Sequence, residues 1–480
     1  MMRALILLHR WLGVVLCLFF AMWFASGIVM HFVPFPALTQ AEHFAGLAPI
    51  DLAHVAHGPA EAVGASGIAG ATRVRLLRRS DGLVYLVFAR RAVKAVRAAD
   101  LADGAVTSGQ AALAIAMDYA RRSQSAASDA HVLALTSYDQ WTVSGGFDLH
   151  RPLYRVALND NLGTELYVSS TTGKVVLHTT RQERLLNYLG SVAHWIYPTA
   201  LGSHQAAWSL LLWWLSLLAL IGATAGTVVG TLRIGAGGSQ LTPYRGWQAW
   251  HHWLGLICML FVLTWIFSGW LSMDDGWLFS TGKPTEAEAK AVTGMPDWHA
   301  IPRDELRRVS TQAKEVEWFA FGGQIYRRER VSIDQQRLFS VFADRGTGTS
   351  DRAFLARDEI NAAAKHLAAA CNAALALEAD DDYPFASTVP NAPAFRLVCG
   401  SDWFHIDGAS GALLEKLDSS RRTYRWLYRA LHTLDFHALM ARPMLRTSLI
   451  VTLCGFGLVF SFTGVVIAWR RLLSCLRFVE

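Results

Sequence analysis

The chain has 480 residues, of which 52% are apolar and only 17% are charged, and it contains 18 tryptophans. The overall composition excludes a disordered, fibrous or disulfide-scaffold protein. A soluble domain contains about a quarter charged residues, so the low charged fraction favours a membrane protein. The net charge of +6 is too small and too scattered to indicate nucleic-acid binding, and the absence of CxxC and CxxCH motifs argues against zinc ribbons, thioredoxin-like sites and covalently attached c-type heme.

Four blocks without Asp, Glu, Lys or Arg predict four transmembrane helices, because each is about 20 residues or longer and so long enough to cross roughly 30 Å of hydrocarbon. The blocks are residues 11–30, 206–232, 253–273 and 447–469, and the predicted helices cover residues 9–31, 206–232, 250–273 and 447–470. No small-residue cleavage site follows the first block, which favours an uncleaved anchor over a secretory signal.

The basic residues beside the helices predict the orientation. They lie before Trp11, in the short loop 233–249 and after Trp469: Arg3, Arg10, Arg233, Arg245, Arg470 and Arg471. By the positive-inside rule these regions and both termini are cytoplasmic, which places the long segments 32–205 and 274–446 outside. We therefore expect a bacterial inner-membrane protein with two large periplasmic segments.

Each long segment alternates strand-like runs with polar turns, which predicts two small α+β domains. Predicted strands include 83–88, 165–168 and 404–406, and the alanine-rich stretches 111–122 and 360–376 predict helices. Cys371 and Cys399 both fall in the second segment. In an oxidising compartment they either form a disulfide or remain two free thiols.

An internal duplication organises the sequence. His9-Arg-Trp-Leu-Gly13 aligns with His251-His-Trp-Leu-Gly255 at an offset of 242, and the match runs through Ser26-Gly27 and Ser268-Gly269. A second match at an offset of 238 pairs further residues of the two halves: His194 with His432, Gly226 with Gly464, and Arg184 with Arg422. Instead of the three domains that length alone suggests, the chain is predicted to be two parallel copies of helix, outer domain and helix, related by a pseudo-two-fold axis along the membrane normal.

The duplication picks out two histidine pairs at the predicted membrane faces, His9 with His251 and His194 with His432. A pseudo-two-fold axis brings equivalent residues towards each other, and two neutral imidazoles facing across a bundle suit six-coordinate heme iron. His9 and His31 are about 33 Å apart along one helix, so two hemes, one at each face, follow if heme is bound. Zinc would need three or four clustered ligands, and histidines of a purely structural bundle are the remaining alternative.

Arginines near these pairs have two possible roles. Arg10, Arg233, Arg245 and Arg471 on the inner side, and Arg184 and Arg422 on the outer side, would either pair with heme propionates or only determine topology. Close packing between helices explains four groups of small residues in the predicted spans: Ser26-Gly27, Ser268-Gly269, Thr224-Ala-Gly226 and Thr463-Gly464.

The order of these motifs resembles the PepSY-associated transmembrane family, which includes inner-membrane ferric-siderophore reductases. The resemblance is carried by Leu8–Gly13, the His-Trp-Ile run at His194, Leu431–Thr433, the Thr-Gly ending at Gly464, and the turns YVSSTTGKVV and FHIDGASGALL. It covers nearly the whole chain and is strongest at the membrane ends. It implies four spans, PepSY-like periplasmic domains and two b-type hemes.

The same resemblance marks His9, His251, His194 and His432 as heme ligands, with His31 as a fifth candidate. If His31 is a ligand, either His194 or His432 lies outside the first coordination shell. The sequence does not choose between His251 and the adjacent His252.

The leading hypothesis is a di-heme electron-transfer protein that reduces a ferric chelate, such as a ferric siderophore, on the periplasmic side. Its electron donor is either quinol or a cytoplasmic flavoprotein, because the chain carries no flavin or nicotinamide motif. The alternatives are a heme-free PepSY protein that regulates a peptidase, and an accessory component of siderophore transport.

Overall fold

The computed structural model describes residues 2–125, 127, 129–236, 242–302, 304–342, 352–368, 371, 375–376, 382–383, 385, 389 and 392–476. The chain forms two compact units. The helical unit comprises Met1–Phe35, Glu183–Thr281 and Ser420–Glu480, and the sheet unit comprises Pro36–Gln182 and Gly282–Ser419.

Four long helices form the helical unit: α1 (Met2–Phe32), α2 (Gln205–Leu232), α3 (Trp247–Leu271) and α4 (Pro443–Leu476). Each is long and apolar enough to cross a membrane. The prediction of four helices that are long and apolar enough to span a membrane is therefore confirmed.

Glycines allow close approach between these helices. A β-carbon at Gly457 of α4 would lie 2.6 Å from Cε1 of Phe24, and one at Gly222 of α2 would lie 3.2 Å from Cβ of Leu12. Phe24 is also part of a buried apolar cluster to which all four helices contribute. Small residues at helix contacts are the usual way that membrane helices gain van der Waals contact.

Short helices connect the sheet unit to the long helices, and their order is the same in both halves. The first half contains Arg181–Asn187, the π-helical turn Tyr188–Val192 and Thr199–Gly202. The second contains Ser419–Tyr424, the π-helical turn Arg425–Ala430, Leu431–Thr433 and His437–Met440. Single π turns within helices occur frequently at functional sites. These two end just before His194 and His432.

Within the described residues, three antiparallel sheets form the core of the sheet unit. The six-stranded sheet has the order β10-β9-β8-β1-β2-β3 and contains β1 (Arg73–Arg79), β2 (Gly82–Ala89), β3 (Ala92–Arg97), β8 (Glu315–Phe321), β9 (Gln324–Arg330) and β10 (Gln336–Ser340). One four-stranded sheet contains β4 (His131–Thr136), β5 (Leu153–Ala157), β6 (Glu165–Ser169) and β7 (Val175–Thr179). The other contains β11 (Leu375–Ala376), β12 (Ala394–Cys399), β13 (Asp402–Asp407) and β14 (Leu413–Leu417).

Helices of the sheet unit pack around these sheets: Gln40–Ala45, Pro59–Ser66, Gly109–Arg122, Glu286–Thr293 and Arg357–Ala364. Short 3₁₀ turns lie at Leu52–His54, Gly145–His150, Trp298–Ala300 and Glu305–Arg308.

The six-stranded sheet joins the two long segments. β1 of the first pairs antiparallel with β8 of the second, and Arg75 lies opposite Glu317. These two residues are also separated by 242 positions, so each is the repeat counterpart of the other. A local pseudo-two-fold axis therefore passes between Arg75 and Glu317, and the two long segments share one sheet.

Most of the predicted outer elements are confirmed. The runs 83–88, 165–168 and 404–406 lie in β2, β6 and β13, and residues 111–122 lie in a helix. The helix predicted over 360–376 is wrong beyond Ala364, where it ends; residues 375–376 form β11, whereas residues 369–370 and 372–374 lie outside the described part. A disulfide joins Cys371 to Cys399, so tertiary contacts override the helix propensity of the alanines.

Candidate functional site

The first histidine pair lies at the end of the bundle where α1 begins. His9 comes from the second turn of α1 and His251 from the second turn of α3. Their ring centres are 6.2 Å apart, with an angle of 35° between the ring planes. The structure thus brings together two residues separated by 242 positions in the sequence.

The second pair lies at the opposite end of the bundle. The ring centres of His194 and His432 are 6.4 Å apart, with an interplanar angle of 67°. Desolvation lowers the pKa of both imidazoles to about 4. Both rings are therefore neutral near pH 7, the form in which imidazole binds a metal.

Two serines orient the rings of this second pair. Nδ1 of His194 lies 3.0 Å from Oγ of Ser26, and Nδ1 of His432 lies 3.1 Å from Oγ of Ser268. Each serine hydroxyl donates its own proton to a backbone carbonyl in the preceding helical turn. The hydroxyl oxygen must then accept the Nδ1–H proton, which leaves the lone pair of each ring on Nε2.

The first pair has the same tautomer. Nδ1 of His9 donates to the carbonyl oxygen of Gly222 at 2.9 Å. Nδ1 of His251 lies 2.9 Å from Oγ1 of Thr463, whose hydroxyl donates to the carbonyl oxygen of Phe460. Within the described residues, Nε2 makes no hydrogen bond in any of the four histidines.

The spacing within both pairs fits a metal held between two imidazoles. An imidazole nitrogen binds a zinc ion at about 2.0–2.1 Å, and a ring centre lies roughly 1 Å behind its nitrogen, so two rings on opposite sides of a similar metal have centres about 6 Å apart. Both pairs match this distance, and the hydrogen bond at Nδ1 is the usual second-shell partner of a metal-binding histidine. The residues present therefore fit two hemes, of which His9 and His251 would hold one and His194 and His432 the other.

A glycine lies against each of the four rings, at equivalent positions of the two repeats. A β-carbon at Gly27 would lie 3.8 Å from Cε1 of His194, and one at Gly269 would lie 3.3 Å from Cε1 of His432. At the other end, one at Gly464 would lie 3.4 Å from Cε1 of His251, and one at Gly226 would lie 2.6 Å from Nδ1 of His9. These glycines leave space for the rings to turn towards each other.

A cavity of about 720 Å³ opens beside the first pair and is lined by His9, His251, Gly226 and Gly464. Its volume falls within the range of about 300–1,000 Å³ that is usual for small-molecule sites. Four arginines also line it: Arg10, Arg245, Arg470 and Arg471. Guanidinium groups bind carboxylates in a bidentate manner, so this cavity suits an apolar ligand that carries carboxylate groups.

No family model matches the chain, and no curated protein matches it in sequence. Within the described residues, no group of three or more His, Cys, Asp or Glu side chains is placed to hold a metal ion. The interpretation of the two pairs therefore depends on their own geometry.

Other predicted residues lie outside the two pairs. His252 is 7% exposed, and its Nε2 must donate to the carbonyl oxygen of Gly230 while Nδ1 contacts Oγ1 of Thr242. Because both ring nitrogens are engaged, His251 is the better placed of the two neighbours. His31, at the end of α1, contacts Oγ1 of Thr447 through Nε2.

Two of the predicted arginines lie in the short connecting helices. Arg184 lies in Arg181–Asn187 and Arg422 in Ser419–Tyr424, each in the helix before a π-helical turn. Both are partly exposed. Arg233, at the end of α2, is not among the residues that line the cavity.

Ser26, Ser268 and Thr463 have a role that the sequence alone does not indicate. Helix packing explains small residues at these positions, but the structure places each hydroxyl at Nδ1 of a paired histidine. One signal was present: Ser26 and Ser268 occupy the same position in the two repeats, as do the histidines that they contact.

Proposed function

We propose that the protein is a di-heme b-type electron-transfer protein of the bacterial inner membrane that reduces ferric iron in chelate complexes, such as ferric siderophores, on the periplasmic side. The observation that carries the proposal is the matched orientation of four histidines. In both pairs Nδ1–H is bound within the protein and Nε2 is left for a ligand, at a spacing that suits one metal between two rings. A bundle held together only by packing has no need of this arrangement at both ends.

Within the proposal, His9 and His251 hold one heme and His194 and His432 hold the other. A b-type heme supplies reversible one-electron transfer, while the protein supplies ligands, apolar surroundings and orientation. Ser26 and Ser268 fix the tautomer of their histidines, and Thr463 fixes that of His251. Arg10, Arg245, Arg470 and Arg471 supply positive charge for the carboxylates of the heme held by His9 and His251.

The two pairs lie at opposite ends of one bundle, which supports transfer across the membrane. His9 and Ser26, which contacts His194, are 17 residues apart on α1, or about 26 Å along the helix axis. Phe24, Phe261 and Trp265 pack against one another between the pairs, with ring centres 5.8–6.2 Å apart. The interior between the proposed hemes is therefore apolar and closely packed.

The direct test is an absorption spectrum of the full chain purified in mild detergent. We expect a Soret band that shifts on reduction with dithionite, and about two hemes per chain by the pyridine hemochromogen assay. A folded but colourless preparation, also after heme is added during expression, would overturn the proposal.

A second experiment tests the acceptor. The dithionite-reduced protein, freed of reductant, is mixed with a ferric siderophore in the presence of a ferrous chelator. Each heme oxidised should yield one ferrous ion. If the reduced protein is oxidised by ferricyanide but by none of the ferric chelates, the electron-transfer role would stand, and the reduction of ferric chelates would be contradicted.

A further inference from the structure

A second cavity lies inside the sheet unit. It has a volume of about 440 Å³ and lies where β1, β8, β9 and the turn between β6 and β7 meet. Basic side chains line much of its wall: His43, Arg73, Arg75, His150, Lys174, Arg328 and Arg330. One carboxylate, that of Glu315, lies among the lining residues, and that of Glu317 lies behind Arg75.

The two carboxylates form ion pairs with some of these cations, although Oε1 of Glu315 has no hydrogen-bond partner among the described residues. Glu317 lies 2.6 Å from Arg75 and 2.7 Å from Arg328, and Glu315 lies 3.3 Å from both Arg75 and His43. Burial would raise the pKa of Glu317, but Arg73, Arg328 and Arg75 lower it to about 2. With five Arg or Lys side chains against two carboxylates, three positive charges are in excess.

Two cations of this cavity have unused binding capacity. The ammonium group of Lys174 makes no hydrogen bond or ion pair with the described residues. Arg330 is 5% exposed, and neither its Nε nor its Nη2 has a hydrogen-bond partner, although Nη1 lies 3.6 Å from Glu315.

The two residues that carry this excess charge have uncharged counterparts in the other repeat. The repeat counterpart of Lys174 is Ala412, and that of Arg330 is Phe88. Phe88 and Ala412 occupy the same positions in their strands and turns as Arg330 and Lys174 do in theirs. The backbone conformation at these positions therefore does not require a charged side chain. Packing explains the apolar member of each pair. It does not explain the half-buried Lys174, and Arg330 is only partly compensated by Glu315 and by the ring of Phe44, although buried charge is costly unless it is well compensated.

We propose that this cavity binds a small anion that carries at least two carboxylate or phosphate groups. Its volume suits a compact ligand. Lys174 provides an ammonium donor without a hydrogen-bond partner among the described residues, and Arg330 adds a second positive charge to the wall. The Arg75–Glu317 pair on the pseudo-two-fold axis forms the rigid base of the site. This binding is independent of heme and of the proposed electron transfer.

The test is isothermal titration of the full chain in detergent with citrate, inorganic pyrophosphate, inorganic phosphate and acetate. We expect saturable binding of citrate or pyrophosphate with a dissociation constant below 1 mM, and at least tenfold weaker binding of acetate. Tighter citrate binding would identify a carboxylate ligand, and tighter pyrophosphate binding would identify a phosphate ligand. Tighter binding of inorganic phosphate than of either would contradict the requirement for two anionic groups.

The variants Lys174→Met and Arg330→Met should weaken this binding at least tenfold, whereas Arg121→Gln, on an exposed helix surface, should not. Lys174→Met is the decisive variant because its ammonium supports no other contact, so the sheet unit should fold unchanged. Heme content, measured in each variant, should equal that of the parent. The proposal would be overturned if none of the anions showed saturable binding. It would also be overturned if the parent and a folded Lys174→Met protein bound them with equal affinity.

Discussion

Gly226 of α2 lies directly against the imidazole of His9 on α1, so that a β-carbon at position 226 would be 2.6 Å from Nδ1 of the ring. Atoms at this distance overlap, and the ring would have to leave its place opposite His251. We therefore predict that Gly226→Ala lowers the heme content from about two per chain to about one. The pyridine hemochromogen assay on the purified protein measures this ratio.

Gly455→Ala is the matched control, because a β-carbon at Gly455 of α4 has no neighbour within 4 Å. It adds the same methyl group to the same bundle and should leave two hemes. Full heme content in Gly226→Ala would show that the position of the His9 ring is not needed for ligation.

The histidines themselves give a second prediction. His9→Ala and His251→Ala should each remove the heme of that pair and keep the other, since the second pair lies at the far end of the bundle. His252→Ala is the control, because both nitrogens of His252 already have partners and it should keep two hemes. Loss of a heme in His252→Ala, with both retained in His251→Ala, would reverse the choice between the two neighbours.

The sequence predicts the four helices and the histidine pairs well because both depend on local or repeated patterns. Apolar blocks identify α1 to α4 directly, and the offset of 242 links His9 to His251. In contrast, the pairing of β1 with β8 joins residues far apart in the chain, and no local pattern reports it. The sequence also does not predict the contact between the Thr463 hydroxyl and His251. Ala225 stands at the equivalent position of the first repeat, so the repeat pattern does not mark Thr463.

The serines at the second pair predict a change in redox potential. Removing the hydroxyl in Ser26→Ala leaves Nδ1–H of His194 without its acceptor, which makes the imidazole a weaker electron donor to a bound ferric iron. We expect the reduction potential of one heme to rise by an amount that corresponds to about 1 kcal/mol, with unchanged heme content. A spectroelectrochemical titration measures the shift.

Ser216→Ala serves as the control for that titration. Ser216 is buried in α2 and its hydroxyl bonds to the carbonyl oxygen of Leu212 rather than to a histidine. Its removal should leave both potentials unchanged. Equal shifts in the two variants would assign the effect to general packing.

The disulfide between Cys371 and Cys399 predicts a loss of stability on its removal. It closes a loop with a sequence separation of 28, and a loop of this size corresponds to about 3–4 kcal/mol of stabilisation through the unfolded state. We expect Cys371→Ser/Cys399→Ser to unfold at a lower temperature in detergent, while Cys475→Ser, which removes a free thiol, does not. An unchanged unfolding temperature in the double variant would contradict a contribution of the disulfide to stability.

Lys174 predicts a pH-dependent stability. Burial, aided by the charge of Arg75, lowers the pKa of Lys174 from 10.5 to about 8, so the folded protein binds this proton less tightly than the unfolded chain does. The cost of the charged form is therefore fully present below pH 8 and is relieved as the pH rises towards 10.5. In Lys174→Met that cost is absent at every pH.

We consequently expect Lys174→Met to be more stable than the parent at pH 7, by about 1–3 kcal/mol, and this advantage to shrink between pH 8 and 10.5. Saturating citrate should stabilise the parent and not the variant, because a bound anion compensates the charge that the substitution removes. Parallel thermal unfolding of both proteins across this pH range, with and without citrate, measures both effects. A constant difference at all pH values would mean that Lys174 has the same pKa in the folded and the unfolded chain. Lys174 would then be well solvated, and the cavity would not hold an uncompensated charge.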